Sequence, residues 1–174
     1  MDVTRLSDFG HIGGDAMEND LSPLQQYNAV FRKGDEAFHN AVKSFNMSEG
    51  TFRILYNLRD IGHDLSQREV YRNACMPKQT VNSALKRLES DDYIELRTDS
   101  GTKGRIVALT PKGEELARHT VDLAMNVERL TMTQMPAQEL EMLISLMNKY
   151  TNALTNNMHA MLEGMDNQNT LDGE

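Results

Sequence analysis

Between residues 66 and 112 the local signals follow one another in an order that few folds can satisfy. Ser66-Gln67-Arg68-Glu69 is a capping box, in which the serine hydroxyl serves a helix N-terminus and the glutamate reaches back. It opens a short helix that buries Val70 and Ala74. Pro77 stands where a first-turn proline belongs and begins another helix, to about Ser90. Two extended stretches follow, residues 93–98 and 105–109, around Asp99-Ser100-Gly101-Thr102, a turn composition. They predict a β-hairpin. Two helices, a turn and then a hairpin make a winged helix-turn-helix, an arrangement that reads DNA.

The flanks of this segment are helical. Leu24, Phe31, Phe38 and Phe45 recur every seven residues, with Tyr27 and Ala41 at the intermediate position, so a narrow apolar seam runs along a first helix. Gly34 interrupts the second series and offers room for another backbone. Ser48-Glu49 opens a second helix whose Phe52, Leu55, Tyr56 and Leu58 share a face, and Gly62 ends it. Thr110-Pro111 begins a long helix with Leu116, Leu123 and Leu130 seven apart. Pro136 opens a last one, with Leu140, Leu143, Met147, Tyr150, Leu154 and Met161 in register. Eight of the twelve methionines follow residue 124, and adaptable Met suits a seam that packs on another helix. Both terminal helices carry seams that neither covers fully, which favours a homodimer over terminal helices folded on each other.

The expected architecture is therefore mainly α, a winged helix-turn-helix with a small β-hairpin wing between terminal helices that form a dimerisation layer. Its parts are a flexible arm over 1–22, a first dimerisation helix over 23–47, a winged helix domain over 48–110, C-terminal dimerisation helices over 111–162, and a flexible tail over 163–174. A chain of 174 residues buries enough surface to need no disulfide or metal staple.

Charge and composition narrow the setting. The net charge of −8 alone argues against nucleic acid, but residues 66–112 hold nine basic and six acidic side chains, against nine and twenty elsewhere. An acidic body with one basic segment binds an anion there and repels it elsewhere. The longest apolar run, residues 106–109, is far short of a membrane span. Acidic residues through the first twenty positions speak against a secretory leader. One cysteine, Cys75, excludes an internal disulfide and a multi-cysteine zinc site. These features favour a cytoplasmic protein without a membrane partner.

At ~100° per residue, the helix from Pro77 places Val81, Ala84, Leu85 and Leu88 on one side. Gln79, Asn82, Ser83 and Lys86 fall on the other, with Lys78, Thr80 and Arg87 at the margins. An ordinary solvated face mixes Glu with Lys, yet this one has no acid before Glu89. Amides and hydroxyls match base edges, and cations meet phosphates or guanines. Gln79, Asn82, Ser83 and Lys86 are thus the candidate base readers. Ser66 and Gln67 at a helix N-terminus, with Lys78, Thr80 and Arg87, are candidate phosphate contacts. Lys103 and Arg105 at the hairpin are candidates for the minor groove, where negative potential is focused.

These segments resemble the MarR family of bacterial transcriptional regulators. The resemblance runs from about Leu24 to Met161 and rests on Leu65-Ser66-Gln67-Arg68-Glu69-Val70, Pro77-Lys78-Gln79-Thr80-Val81-Asn82-Ser83-Ala84-Leu85 and Leu109-Thr110-Pro111-Lys112-Gly113. It implies a symmetric dimer on double-stranded DNA, with recognition helices in successive major grooves. It also implies repression relieved by a small, often phenolic, effector held between the DNA-binding and dimer layers. Two positions depart from the family pattern. The Asp-x-Arg usual at the wing tip is Gly101 and Lys103 here, and the glycine usual after the recognition helix is Asp92. Asp tolerates a left-handed conformation better than most residues, so that turn is expected to survive.

Tyr27 and Phe31, with Arg53 and Tyr56 on the second helix, are the candidate lining for a phenolic or anionic effector. Cys75 is expected to be a small buried hydrophobe rather than a redox sensor. No two histidines stand four apart, so no helical zinc pair is readable, and no metal or cofactor is expected. No phosphate loop, nucleophile elbow or spaced acid–base pair points to an enzyme. The rival reading is a winged helix that has lost DNA binding and docks an acidic protein instead.

Overall fold

The computed structural model describes residues 21–62, 64–98 and 104–171. Most of the arm expected over 1–22 lies outside these residues, as do Lys103 and the wing tip. The chain divides into two compact units, Met1–Met47 and Ser48–Glu174.

The first unit contains α1 (Pro23–Ser44). Ser22 caps it through a reciprocal capping box: its Oγ accepts from Gln25 N at 3.3 Å, and Gln25 Oε1 accepts from Ser22 N at 2.8 Å. Tyr27 and Phe31, one turn apart, stack at 6.1 Å between ring centroids. Asn46 adopts a φ of 53° just past the helix, the left-handed residue that commonly stops one. Among the described residues, leaving aside the neighbouring backbone of α1 itself, nothing lies within 4 Å of a Cβ built at Gly34.

The second unit runs through α2 (Glu49–Asp60), β1 (Asp64–Ser66), α3 (Gln67–Asn73), α4 (Lys78–Ser90), β2 (Ile94–Thr98), β3 (Arg105–Leu109), α5 (Pro111–Arg118), α6 (Val121–Thr133) and α7 (Ala137–Leu171). The side chains of Phe52, Ile54, Leu55, Leu58, Val70, Val81, Leu88, Ile94 and Val107 are almost wholly enclosed and form its core. Each such side chain contributes about 1.5–3 kcal/mol relative to an exposed one. Ser48 and Ser66 cap α2 and α3 as their sequences predict. Thr110 caps α5, accepting from Gly113 N at 3.0 Å.

The predicted hairpin is part of a three-stranded antiparallel sheet in the order β1-β3-β2. Leu65 of β1 pairs with Val107, and Leu96 of β2 pairs with the same residue from the other side. A three-residue strand leaves no alternation to read, and its last member, Ser66, doubles as a helix cap.

The long helix expected after Thr110 is two helices. Thr120 interrupts it with φ −133° and ψ −85°, its buried hydroxyl donating to the Leu116 carbonyl at 2.7 Å. A threonine that bonds to a backbone carbonyl one turn back competes with the helix ladder and lets the chain turn. At the other end α7 continues to Leu171, past the end expected at 162. No proline interrupts that stretch, and Gly164 alone costs only about 1 kcal/mol in a helix already nucleated.

Pro77 is the cap of α4 rather than its first helical residue, its carbonyl accepting from Val81 N at 3.1 Å. The far end closes as a Schellman motif: Tyr93 N donates to Leu88 O at 2.8 Å and Asp92 N to Glu89 O at 3.0 Å. Asp92 sits at φ 61°, taking the left-handed position as expected. The start of α5 packs on that closure. Lys112 Nζ donates to Asp91 O at 2.6 Å and lies 4.6 Å from the Tyr93 ring centroid. Thr110 Oγ1 donates to Asp92 O at 2.6 Å. A Cβ on Gly113 would fall 1.9 Å from the Tyr93 carbonyl oxygen. The Thr-Pro-Lys-Gly stretch is therefore the clamp that fixes where α4 ends.

Candidate nucleic-acid interface

One side of α4 is spent on the core: Val81, Ala84, Leu85 and Leu88 are buried. Lys78, Gln79, Thr80, Asn82, Ser83, Lys86 and Arg87 are all exposed. The structure thus places the four candidate base readers together on the solvent side of one helix. Ser83 Oγ donates to Gln79 O at 3.0 Å, so its proton is engaged while its lone pairs stay open. Arg87 lies 3.8 Å from Asp91, a loose pair between exposed groups. Among the described residues no ion pair holds Lys78 or Lys86.

Gln79, Thr80, Ser83 and Arg87 also line an open groove with Ser48, Glu49 and Gly50 at the start of α2. At Gly50 α2 approaches α4 closely: a Cβ there would come within 3.3 Å of the Ala84 methyl. Two helix beginnings, of α2 and α4, therefore border one open groove, and helix N-termini favour anions.

The start of α3 is engaged in its own cap. Ser66 Oγ donates to Glu69 Oε2 at 2.7 Å, and Ser66 N reaches the same oxygen at 2.8 Å. These bonds hold the Glu69 carboxyl below its usual range, the serine hydroxyl contributing most. Gln67 is half-buried and turns its Nε2 to the Tyr71 hydroxyl at 3.2 Å. Tyr71 in turn donates to Asn82 Oδ1. Sequence reading does not single out Tyr71. Its one trace is the four-residue spacing from Gln67, which sets both on one side of a helix.

On the sheet, Arg97 is neutralised: it meets Asp64 at 2.7 Å and Glu95 at 3.1 Å. Arg105 stands exposed in β3, opposite Thr98, with no ion pair among the described residues. Its companion Lys103 lies outside them. Cys75, between α3 and α4, is exposed and left-handed at φ 50°, not the buried hydrophobe expected.

The candidate effector residues fall in the two units. Tyr27 and Phe31 stack on α1, while Arg53 is exposed on α2 and pairs loosely with Glu49 at 3.9 Å. Tyr56 donates to Glu128 of α6 at 2.7 Å. Burial and that carboxylate push its hydroxyl well above the ordinary tyrosine range. Three side chains that sequence reading passes over join α2 to the helices beyond the sheet: Arg59 meets Asp122 at 3.0 and 2.8 Å and Glu114 at 2.7 Å. Among the described residues there is no cluster of three or more metal-ligating side chains, and no helix long and apolar enough to cross a membrane.

Comparison with known proteins follows the same lines. The family profile described as MarR family matches residues 45–106. A curated relative, the uncharacterized HTH-type transcriptional regulator YwoH of Bacillus subtilis, is 25% identical over 92 residues, 53% of this chain and 66% of its own length. The chain thus spans just under two thirds of that relative. Among solved structures, a MarR family regulator from Neisseria meningitidis superposes with a TM-score of 0.68 at 18% identity, covering 79% of this chain and 97% of its own. Bordetella bronchiseptica BpsR, whose DNA binding is regulated by 6-hydroxynicotinic acid, gives 0.54 at 21% identity, over 72% and 98%. The resemblance read from the sequence and the winged-helix fold it implied are both borne out.

Proposed function

We propose, from the premise that this chain carries the winged helix of the MarR family, that it is a homodimeric repressor. Its target is a pseudo-palindromic operator with half-sites about one helical turn apart. The observation that carries this reading is the exposed face of α4, where Gln79, Asn82, Ser83 and Lys86 stand opposite a side sunk in the core. Such a helix has its orientation fixed by packing and its polar side free for base edges.

In this reading those four side chains read bases. Lys78, Thr80 and Arg87, with the start of α3 at Ser66 and Gln67, hold phosphates. Arg105 and Lys103 enter the minor groove. The terminal helices pair two copies, so that two α4 helices face one side of a duplex. A small phenolic or anionic effector releases the dimer, as a small molecule regulates DNA binding of BpsR. Tyr27, Phe31, Arg53 and Tyr56 are the residues proposed to meet it.

The test is retention of random genomic fragments followed by sequencing. Enrichment of a shared inverted repeat is expected, with binding that weakens steeply as salt rises. Retention of no fragment above background would overturn the reading.

A further inference from the structure

The side-chain chain from Gln67 through Tyr71 to Asn82 gives one of the exposed α4 residues a fixed polarity. Gln67 Nε2 donates to the Tyr71 hydroxyl at 3.2 Å, which leaves the single tyrosine proton for Asn82 Oδ1. The Asn82 amide is planar, so an oxygen committed to Tyr71 turns the NH2 group away from Tyr71. That NH2 has no partner among the described residues, and Asn82 is exposed on the side of α4 opposite its buried residues.

We infer that Tyr71 is a positioning residue for sequence specificity: it holds Asn82 as a hydrogen-bond donor towards DNA. An unrestrained asparagine offers donor and acceptor together and pairs bidentately with adenine N6 and N7. Asn82, held by its oxygen, turns its NH2 donors to the groove and keeps that oxygen on the Tyr71 side. Its favoured partners are acceptor edges, guanine N7 and O6, adenine N7 or thymine O4. Cytosine, which presents its N4 amino group there, is rejected because two donors would face each other. Tyr71 is half-buried and touches no base in this scheme, so it acts through Asn82 alone.

The inference rests on the DNA-reading function proposed above, and selection from a randomised duplex library separates the two. Full-length wild type and the variants Asn82→Ala, Tyr71→Phe and Asn82→Asp are compared by sequencing retained duplexes and by affinity for random duplex against salt. In wild type one position of each half-site excludes cytosine. Asn82→Ala flattens that position by about three- to tenfold, the range of one hydrogen bond. Tyr71→Phe, which keeps the ring, relaxes the same position by about threefold and readmits cytosine, with random-duplex affinity and salt slope as in wild type. Asn82→Asp retains an acceptor for Tyr71 and presents another to the groove, so its preference moves towards cytosine. A wild type that enriches an operator while Tyr71→Phe keeps an identical base profile would overturn the positioning role and leave DNA reading intact. A wild type that enriches no sequence overturns the functional reading instead.

Discussion

Arg59 of α2 and Asp122 of α6 form a two-pronged ion pair, Nε to Oδ1 at 3.0 Å and Nη2 to Oδ2 at 2.8 Å. Glu114 of α5 takes the remaining arm of the guanidinium at 2.7 Å. Three helices therefore meet at one cation whose side chain is only 14% exposed. The carboxylates raise the pKa of Arg59 against the burial that would lower it. Planar bidentate geometry is what distinguishes such a pair from the surface ion pairs that contribute little. Arg59→Ala removes both prongs from the Asp122 carboxylate and the bond to Glu114, and is expected to lower unfolding stability by roughly 1–3 kcal/mol. Urea denaturation of Arg59→Ala, Asp122→Ala and the double variant checks this. Additive losses would mean the pair is not coupled.

Gly113 faces a harder constraint, because the obstacle is backbone. A methyl there would lie 1.9 Å from the Tyr93 carbonyl oxygen and 3.1 Å from the Leu109 side chain. Gly113→Ala must push α5 off the end of α4, at a cost of about 2 kcal/mol or more. A thermal midpoint equal to wild type would show that the clamp is not tight.

Much of this was legible because it is local. The caps at Ser48, Ser66 and Thr110 bond to amides three residues on, and the buried and exposed sides of α4 follow from helical spacing alone. What sequence could not supply was long-range. The Tyr71–Asn82 bond joins residues eleven apart, and Arg59 meets Asp122 sixty-three residues away. Nothing in either neighbourhood marks a partner. The break at Thr120 hid because Leu116, Leu123 and Leu130 keep a seven-residue spacing through it. Burial of Thr120, rather than the heptad, decides the local backbone there.

The Ser66–Glu69 box carries a pH signature. Its hydrogen bonds lower the folded-state pKa of Glu69, so its contribution is complete above the ordinary glutamate pKa. It is lost as pH falls through the lowered folded value. The stability gap between wild type and Glu69→Ala is expected to be constant from pH 8 to about 5 and to close below the usual glutamate pKa of about 4. A gap that persists undiminished at pH about 2, where the carboxyl is protonated, would rule out a charge-dependent cap.

The wing is expected to act through charge alone. Arg105 is exposed and free of ion pairs among the described residues, whereas Arg97 is held by Asp64 and Glu95. Arg105→Ala with Lys103→Ala is expected to weaken binding on every sequence and to reduce the salt slope by about 2, one for each cation lost. Arg97→Ala is expected to leave that slope unchanged. Equal slopes for wild type and the Arg105/Lys103 double variant would remove the wing from the interface.

The last helix bears on the proposed dimer. Every residue from 141 to 165 of α7 is exposed, including Leu143, Met147, Tyr150, Leu154, Met158 and Met161. The first five of these stand 38–48% exposed, and they recur at intervals of three or four, one stripe of a helix. Exposed aliphatic residues repeating along one helix, here Leu143, Met147, Leu154 and Met158, are the mark of a partner surface. Leu154→Glu with Met158→Glu puts two charges on the stripe without touching a buried residue. Sedimentation is expected to show a dimer for wild type and a monomer for the variant, with unaltered circular dichroism of the winged helix. Operator affinity should fall by well over tenfold, since a single α4 then meets one half-site. A variant that stays dimeric and binds the operator as wild type does would place the dimer contact elsewhere in the chain.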